Sequence, residues 1–276
     1  MRPLVLLFAL ALAASSHAQS KLRELIKAQP PEGCVERTWE VDGVKRTAIV
    51  RAPLVKGDAK PPVVFGWHGH YGTAARVAGS WDIMKLWPEA VFVFPQGLPT
   101  PTVNDPQGKG NGWQTRQGAQ EDRDLKFFDV MLADILKEQG ADKDRVFALG
   151  HSNGGVFCYL LWQTRADRLA GIAPVAGVIA SRPKELTPMP VLHVAGRKDP
   201  IVKFTGQEAS IAAARKANAC VETAKPWGEA GALKGEIWTS DKAPVVAVIH
   251  DGAHEFPKGA SELIVRFFRE QPPKAR

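Results

Sequence analysis

Short, continuously apolar runs recur along the chain at Pro62 to Trp67, Ala90 to Phe94, Val146 to Leu149, Ile172 to Val178, Val191 to Ala195 and Val245 to Ile249. Strands that are apolar on both faces are what a parallel sheet covered by helices on each side requires. Between these runs the period changes. Asp124 to Leu136 places Leu125, Phe128, Leu132 and Ile135 on one helical face, with Gly140 as terminator. Val156 to Arg165, Gln207 to Ala219 and Ala260 to Glu270 are further candidate helices. Ahead of them all, Val35 to Val41 and Val44 to Arg51 flank Asp42-Gly43, a strong hairpin signal. The alternation predicts an α/β fold with a doubly wound, mostly parallel sheet, an N-terminal antiparallel hairpin and helices on both faces. The stretch from Gln96 to Gly118 is rich in Gly, Pro and Asn and has no period. Irregular segments of that length in a compact domain are often functional, so it is a candidate rim of a functional site.

Composition narrows the class. With 276 residues, 45% hydrophobic and 24% charged, the chain sits near the globular average, which excludes collagen-like and disordered classes. One core can serve a chain of this size, so residues 19–276 are expected to form a single domain. Lys plus Arg number 36 against 29 Asp plus Glu, a net charge of +7. These basic residues are scattered rather than clustered, so no nucleic-acid partner is expected.

Residues 1–18 read MRPLVLLFALALAASSHA: an early Arg2, an apolar run from Pro3 to Ala14, then Ser16-His17-Ala18. That is the build of a cleaved secretory signal peptide, and the run is too short for a spanning helix. A secreted or periplasmic protein with no membrane anchor is therefore expected. In an oxidising compartment, Cys34 and Cys220, in polar surroundings, are the favoured disulfide pair, while Cys158 in an apolar helical run reads as a buried thiol. Their spacing suggests no metal site.

The sharpest chemical signal is Gly150-His151-Ser152-Asn153-Gly154, directly after one predicted strand and directly before a helix. This is the setting of a nucleophile elbow, in which a strained turn lifts the Ser hydroxyl clear of the sheet. The backbone N–H of Asn153, at a helix N-terminus, is placed to stabilise an oxyanion. A base and an acid should follow in the order Ser, acid, His. His193 lies inside a predicted strand and reads as a core residue. His250 ends the last strand, whereas His254 sits in the loop beyond it, which favours His254 as base. Asp199, at the carboxyl end of the strand Val191 to Ala195, is favoured as acid over Asp241 and Asp251. The second oxyanion donor is expected in His68-Gly69-His70-Tyr71-Gly72, from the N–H of His70 or of Tyr71. A metal pair made of His68 and His70 is disfavoured, since no further ligand cluster accompanies it. Trp113 in the irregular loop, with Tyr71 and His151 beside the elbow, is expected to contact substrate.

These motifs resemble a known family. HGHYGTA (68–74), FPQGLP (94–99), GW (112–113), DRVFALGHSNGG (144–155), GRKDPIV (196–202) and DGAHEFP (251–257) are similar to secreted α/β-hydrolase esterases of the polyhydroxybutyrate depolymerase and feruloyl esterase type, grouped with carbohydrate esterases. The resemblance runs from about Val44 to Phe268. It implies an α/β-hydrolase fold and a Ser152, Asp199, His254 triad without cofactor. It also implies action on an ester of plant polysaccharide, with polyhydroxybutyrate oligomers as the alternative substrate; a monomer is expected. Lys203, Asp251 and Ala253 depart from the family pattern at the rim. A peptidase on the same fold and a non-catalytic binding protein are the rivals. An intact triad with two oxyanion donors argues against the second.

Overall fold

The computed structural model describes residues 30–55, 59–181 and 185–274; the expected leader, 1–18, lies outside the described residues. A ten-stranded sheet forms the centre. Its strands are β1 (Val35–Val41), β2 (Val44–Arg51), β3 (Val63–Trp67), β4 (Val91–Pro95), β7 (Val146–His151), β8 (Gly171–Val175), β9 (Val191–Gly196), β10 (Lys225–Ala230), β11 (Leu233–Trp238) and β12 (Val245–His250). Two short strands, β5 (Leu98–Pro99) and β6 (Asn111–Gly112), pair separately within the irregular stretch. The order across the large sheet is β1-β2-β4-β3-β7-β8-β9-β12-β11-β10. The six strands from β4 to β12 in that order are parallel, and an antiparallel hairpin closes each end.

Among the described residues six α-helices flank the sheet: α1 (Ala74–Ser80), α2 (Ile83–Leu86), α3 (Arg123–Gln139), α4 (Asn153–Arg165), α5 (Phe204–Ala217) and α6 (Ala260–Glu270). Successive strand residues face opposite sides, and two cores result. Val63, Phe65 and Trp67 of β3 pack with Leu125 and Phe128 of α3, Phe157 of α4 and Ile211 of α5. Val64, Val246 and Val248 pack on the other side with Ala78 of α1, Ile83 of α2 and Ile264 of α6.

The first hairpin turns at Asp42 (φ 51°) and Gly43 (φ 76°), the two positive angles that a tight turn between right-twisted strands needs. The hairpin β10–β11 was not evident from the pattern. Its segments KPWGEA and LKGEIW carry Pro, Gly and charge and are half exposed, as an edge permits, and their register shifts between Pro226 and Gly228. Helices α1 and α2 were also missed. At seven and four residues they are too short to display a period, and α1 is defined chiefly by its cap, with Thr73 Oγ1 accepting from Arg76 N–H. The run predicted to extend to Val178 stops at Val175, because Ala176 turns into left-handed backbone (φ 48°).

Buried polar pairs stitch the irregular stretch to the sheet. Arg46 of β2 donates to Asp124 at the start of α3 (2.8 Å), with both side chains sealed from solvent and the guanidinium 4.3 Å above the Phe127 ring. Asp124 in turn accepts from the Gln114 backbone N–H (2.9 Å), and Gln114 Oε1 accepts from that of Asp124 (3.1 Å).

Candidate active site

At the carboxyl end of β7 the chain reverses into α4 at Ser152, whose φ of 56° and ψ of −120° are strained for a residue with a side chain. The glycines on either side make the turn possible by close approach. A Cβ on Gly150 would lie 2.3 Å from Gly154 O, and one on Gly154 only 2.1 Å from Trp67 O, so strand, helix and the neighbouring β3 meet at distances no other residue allows. Ser152 N–H donates to Val175 O (2.8 Å), which ties the turn to β8.

Two loops converge on that hydroxyl. The segment after β9 and the segment after β12 are joined by Arg197 N–H to His250 O (2.8 Å) and Lys198 N–H to Gly252 O (3.0 Å). The result is a line of hydrogen bonds: Ser152 Oγ–H to His254 Nε2 (2.7 Å), then His254 Nδ1–H to Asp199 Oδ2 (2.8 Å). Asp199 is sealed from solvent, and its Oδ1 accepts from the N–H groups of Ile201 and Val202, each at 2.8 Å. Its second oxygen also accepts from Gln207 Nε2 (3.1 Å), a residue the sequence reading did not single out. Gln207 had a signal nonetheless. It shares a buried face of α5 with Ser210, Ile211 and Ala214, a polar side chain on a stripe that otherwise carries small and apolar residues.

The other histidines divide clearly. His250 has other partners: its Nδ1 accepts from Gly252 N–H (3.1 Å) and lies near Glu255. His193 is buried in the core as expected. His68 is also buried. Its Nδ1–H donates to Gly69 O (2.7 Å) and its Nε2 accepts from Gly97 N–H (2.9 Å), while burial pushes its pKa down to about 4. Both ring nitrogens are thus committed to backbone groups, and His68 serves as a neutral strut rather than half of a metal pair. His70 Nε2 faces Asp105 (3.0 Å), whose carboxyl is held well below its usual range, chiefly by the Gly110 N–H.

Of the two candidate second oxyanion donors, the Tyr71 N–H is taken by Asn111 O (2.9 Å). Gly69, one residue before His70, lies against the elbow: a Cβ there would come within 3.3 Å of Ser152 Cβ. Asn153, whose N–H opens α4, has a further role in its side chain. Oδ1 accepts from Trp113 N–H (2.7 Å) and Nδ2 donates to Trp113 O (3.1 Å), so the irregular stretch is fastened directly to the elbow.

Two expectations are corrected. Trp113 does not face substrate: its ring is fully buried, edge-on to Trp67 (centroids 4.8 Å apart), and its Nε1–H donates to His68 O. The indole is a wedge beneath the loop His68 to Gly72, where its apolar area and single donor are both satisfied. Cys34 and Cys220 are not bridged; both thiols are free. Cys34 lies against Met84 of α2 beside the β1 edge, whereas Cys220 follows α5 and approaches Ala243 O ahead of β12, strands away across the sheet. Tyr71, by contrast, is exposed at φ 59°, and His151 sits partly open beside His254 (centroids 5.0 Å apart). Burial, then the neighbouring His254, pushes the His151 pKa down to about 4.

A mostly parallel sheet with a strained strand-turn-helix serine is the architecture of the α/β-hydrolase fold, and solved structures agree. Acetyl xylan esterase from Aspergillus awamori superposes with a TM-score of 0.68 at 13% identity, covering 85% of this chain and 99% of that one. The Bacillus cereus carboxylesterase gives 0.58 at 17%, covering 82% and 94%. In sequence the chain is similar to feruloyl esterases. It is 25% identical to feruloyl esterase C of Emericella nidulans over 239 residues, 81% of this chain and 83% of that protein. Against probable feruloyl esterase C of Aspergillus niger it is 25% identical over 205 residues, 73% and 64% of the two chains. Putative esterase NocK of Nocardia uniformis is 32% identical over 108 residues, 36% of this chain. The chain thus spans under a third of NocK and just under two thirds of the A. niger protein. No family model matches.

Proposed function

We propose that this protein is an exported serine esterase that cleaves feruloyl or acetyl esters of plant polysaccharide through an acyl-enzyme. The observation that carries this is the hydrogen-bonded line from Ser152 through His254 to Asp199 on a strained elbow. Ser152 Oγ attacks the ester carbonyl as its proton passes to His254 Nε2, and the new C–O bond leaves a tetrahedral oxyanion for the backbone N–H groups of Asn153 and His70. Collapse breaks the bond to the alcohol, which departs with the proton from Nε2. Water, deprotonated by the same nitrogen, then releases the acid and restores Ser152. Asp199 holds the imidazole in the Nδ1–H tautomer and stabilises the imidazolium. None of these steps calls for a cofactor.

The substrate class rests on the similarity to feruloyl esterases and on the export signal read in residues 1–18. A groove of about 730 Å³ has Tyr71 in its wall and mixes polar side chains, among them Thr73, Arg76 and Gln96, with Ala48, Ile49, Ala74 and Ala75, a lining that suits a sugar-bearing or aromatic ester. The test is kcat/KM on methyl ferulate, an acetylated xylan oligomer and a 3-hydroxybutyrate trimer, for wild type and Ser152→Ala. Ferulate or xylan ester turnover that falls by several orders of magnitude in Ser152→Ala supports the reading. Clear preference for the trimer, or turnover retained without Ser152, refutes it.

A further inference from the structure

A buried polar chain runs behind the triad. Tyr159 of α4, His193 of β9 and Gln207 of α5 are each sealed from solvent and joined in series: Tyr159 Oη to His193 Nδ1 at 2.7 Å, His193 Nε2 to Gln207 Oε1 at 3.3 Å, and Gln207 Nε2 to Asp199 Oδ2 at 3.1 Å. Donor and acceptor roles along it are fully determined. The amide nitrogen of Gln207 faces two groups that only accept, the Asp199 carboxylate and Val202 O (2.7 Å), so both its hydrogens are spent there and Oε1 must accept. His193 therefore carries its proton on Nε2, and its bare Nδ1 accepts from the Tyr159 hydroxyl. Burial agrees with this polarity, lowering the His193 pKa to about 4 and raising that of Tyr159.

We infer that Gln207, oriented by His193 and Tyr159, is a positioning residue that sets both the geometry and the charge of Asp199 toward His254. The inference rests on the serine-esterase reading above. Its basis is that Gln207 and His254 donate to the same oxygen. A donor on Oδ2 draws off part of the carboxylate's negative charge and so moderates its pull on the imidazolium. It also fixes the carboxylate plane, complementing the Ile201 and Val202 amides that hold the other oxygen. Gln207 touches neither Ser152 nor the groove and acts only through Asp199. The other ionisable groups around the pair, His151 beside His254 and His250 near Asp199, are left in place by substitution at Gln207.

The test compares wild type, Gln207→Leu and Gln207→Glu in the full chain. Two pH profiles are recorded: turnover of p-nitrophenyl acetate, and the rate of Ser152 labelling by an alkyl fluorophosphonate, which needs no natural substrate. Gln207→Leu is expected to lower kcat about tenfold with KM within about twofold, and to move the acid limb of both profiles upward by about half a pH unit. Gln207→Glu, which sets a second carboxyl group against Asp199, is expected to move that limb further up. A correctly folded Gln207→Leu whose two profiles coincide with wild type overturns the inference. If Leu does not fold, a Gln207→Glu profile coincident with wild type does the same. Labelling absent from wild-type Ser152 overturns both this inference and the serine-esterase reading, whereas labelled wild type with unmoved variants overturns this inference alone.

Discussion

Acid should unfold this protein through two histidines that perform no chemistry. His68 and His193 are buried, and each has a ring nitrogen that accepts a hydrogen bond in the folded state, from Gly97 N–H and from Tyr159 Oη–H respectively. Protonating His68 would set Nε2–H against the Gly97 N–H, and protonating His193 would reverse the Tyr159 hydroxyl from donor to acceptor and place a charge in a site sealed from solvent. Burial accordingly pushes both pKa values from 6.5 to about 4. The folded state then resists protonation while the unfolded chain accepts it, so the stability these residues contribute is complete above pH 6.5 and is lost as pH falls toward 4. At about 1.4 kcal/mol per unit, a full shift amounts to roughly 3 kcal/mol per histidine. At pH 5 about 2 kcal/mol of each is gone, or about 4 kcal/mol together. Against a total of about 5–15 kcal/mol for a typical domain, that loss is decisive. Urea unfolding at pH 8 and pH 5 measures it, in wild type and in His193→Gln. The free-energy difference between the two pH values should shrink by about 2 kcal/mol in the variant, whatever its baseline stability. An equal difference in both proteins, or a His193 NMR titration midpoint near 6.5, would refute the reasoning.

Three further outcomes are expected. His254→Ala should abolish ester turnover nearly as completely as loss of Ser152, whereas His250→Ala, whose ring faces Gly252 and Glu255, should retain most of it; steady-state kinetics that rank the two the other way would reassign the base. Trp113→Ala should act on stability, lowering it by about 3–5 kcal/mol in urea melts because a fully buried indole and its hydrogen bond are lost; unchanged stability with a raised KM would restore the ring as a substrate contact. Unfolded under non-reducing conditions, the protein should release three thiols to a chromogenic disulfide reagent, with Cys158 silent until unfolding; a count of one would establish the bridge that the structure lacks.

What the sequence determined by itself is whatever depends on neighbours in the chain. The six parallel core strands are legible because each is apolar on both faces, and the first hairpin because Asp42-Gly43 supplies two residues that accept positive φ. The elbow is legible for the same kind of reason: Gly150, Ser152 and Gly154 act within one turn. Even Asp199 and His254 were accessible, since strand ends in a parallel sheet all open at one edge and the chain order of the three residues is known.

Only the tertiary structure decided the rest, because it depends on groups far apart in the chain. Trp113 lies in a segment with no period, and its burial follows from Trp67, Phe157 and the Asn153 side chain meeting there. Cys34 and Cys220 look equally polar in sequence, yet sheet order puts strands between them. The edge hairpin β10–β11 is half solvated, so burial wrote no clear pattern into it. Gln207 shows the same limit most sharply. A lone glutamine on a buried helix face announces that some buried partner exists, but which partner is set by the packing of α5 on β9 and α4, where a polar group excluded from water must find its hydrogen bonds among whatever residues the fold brings there.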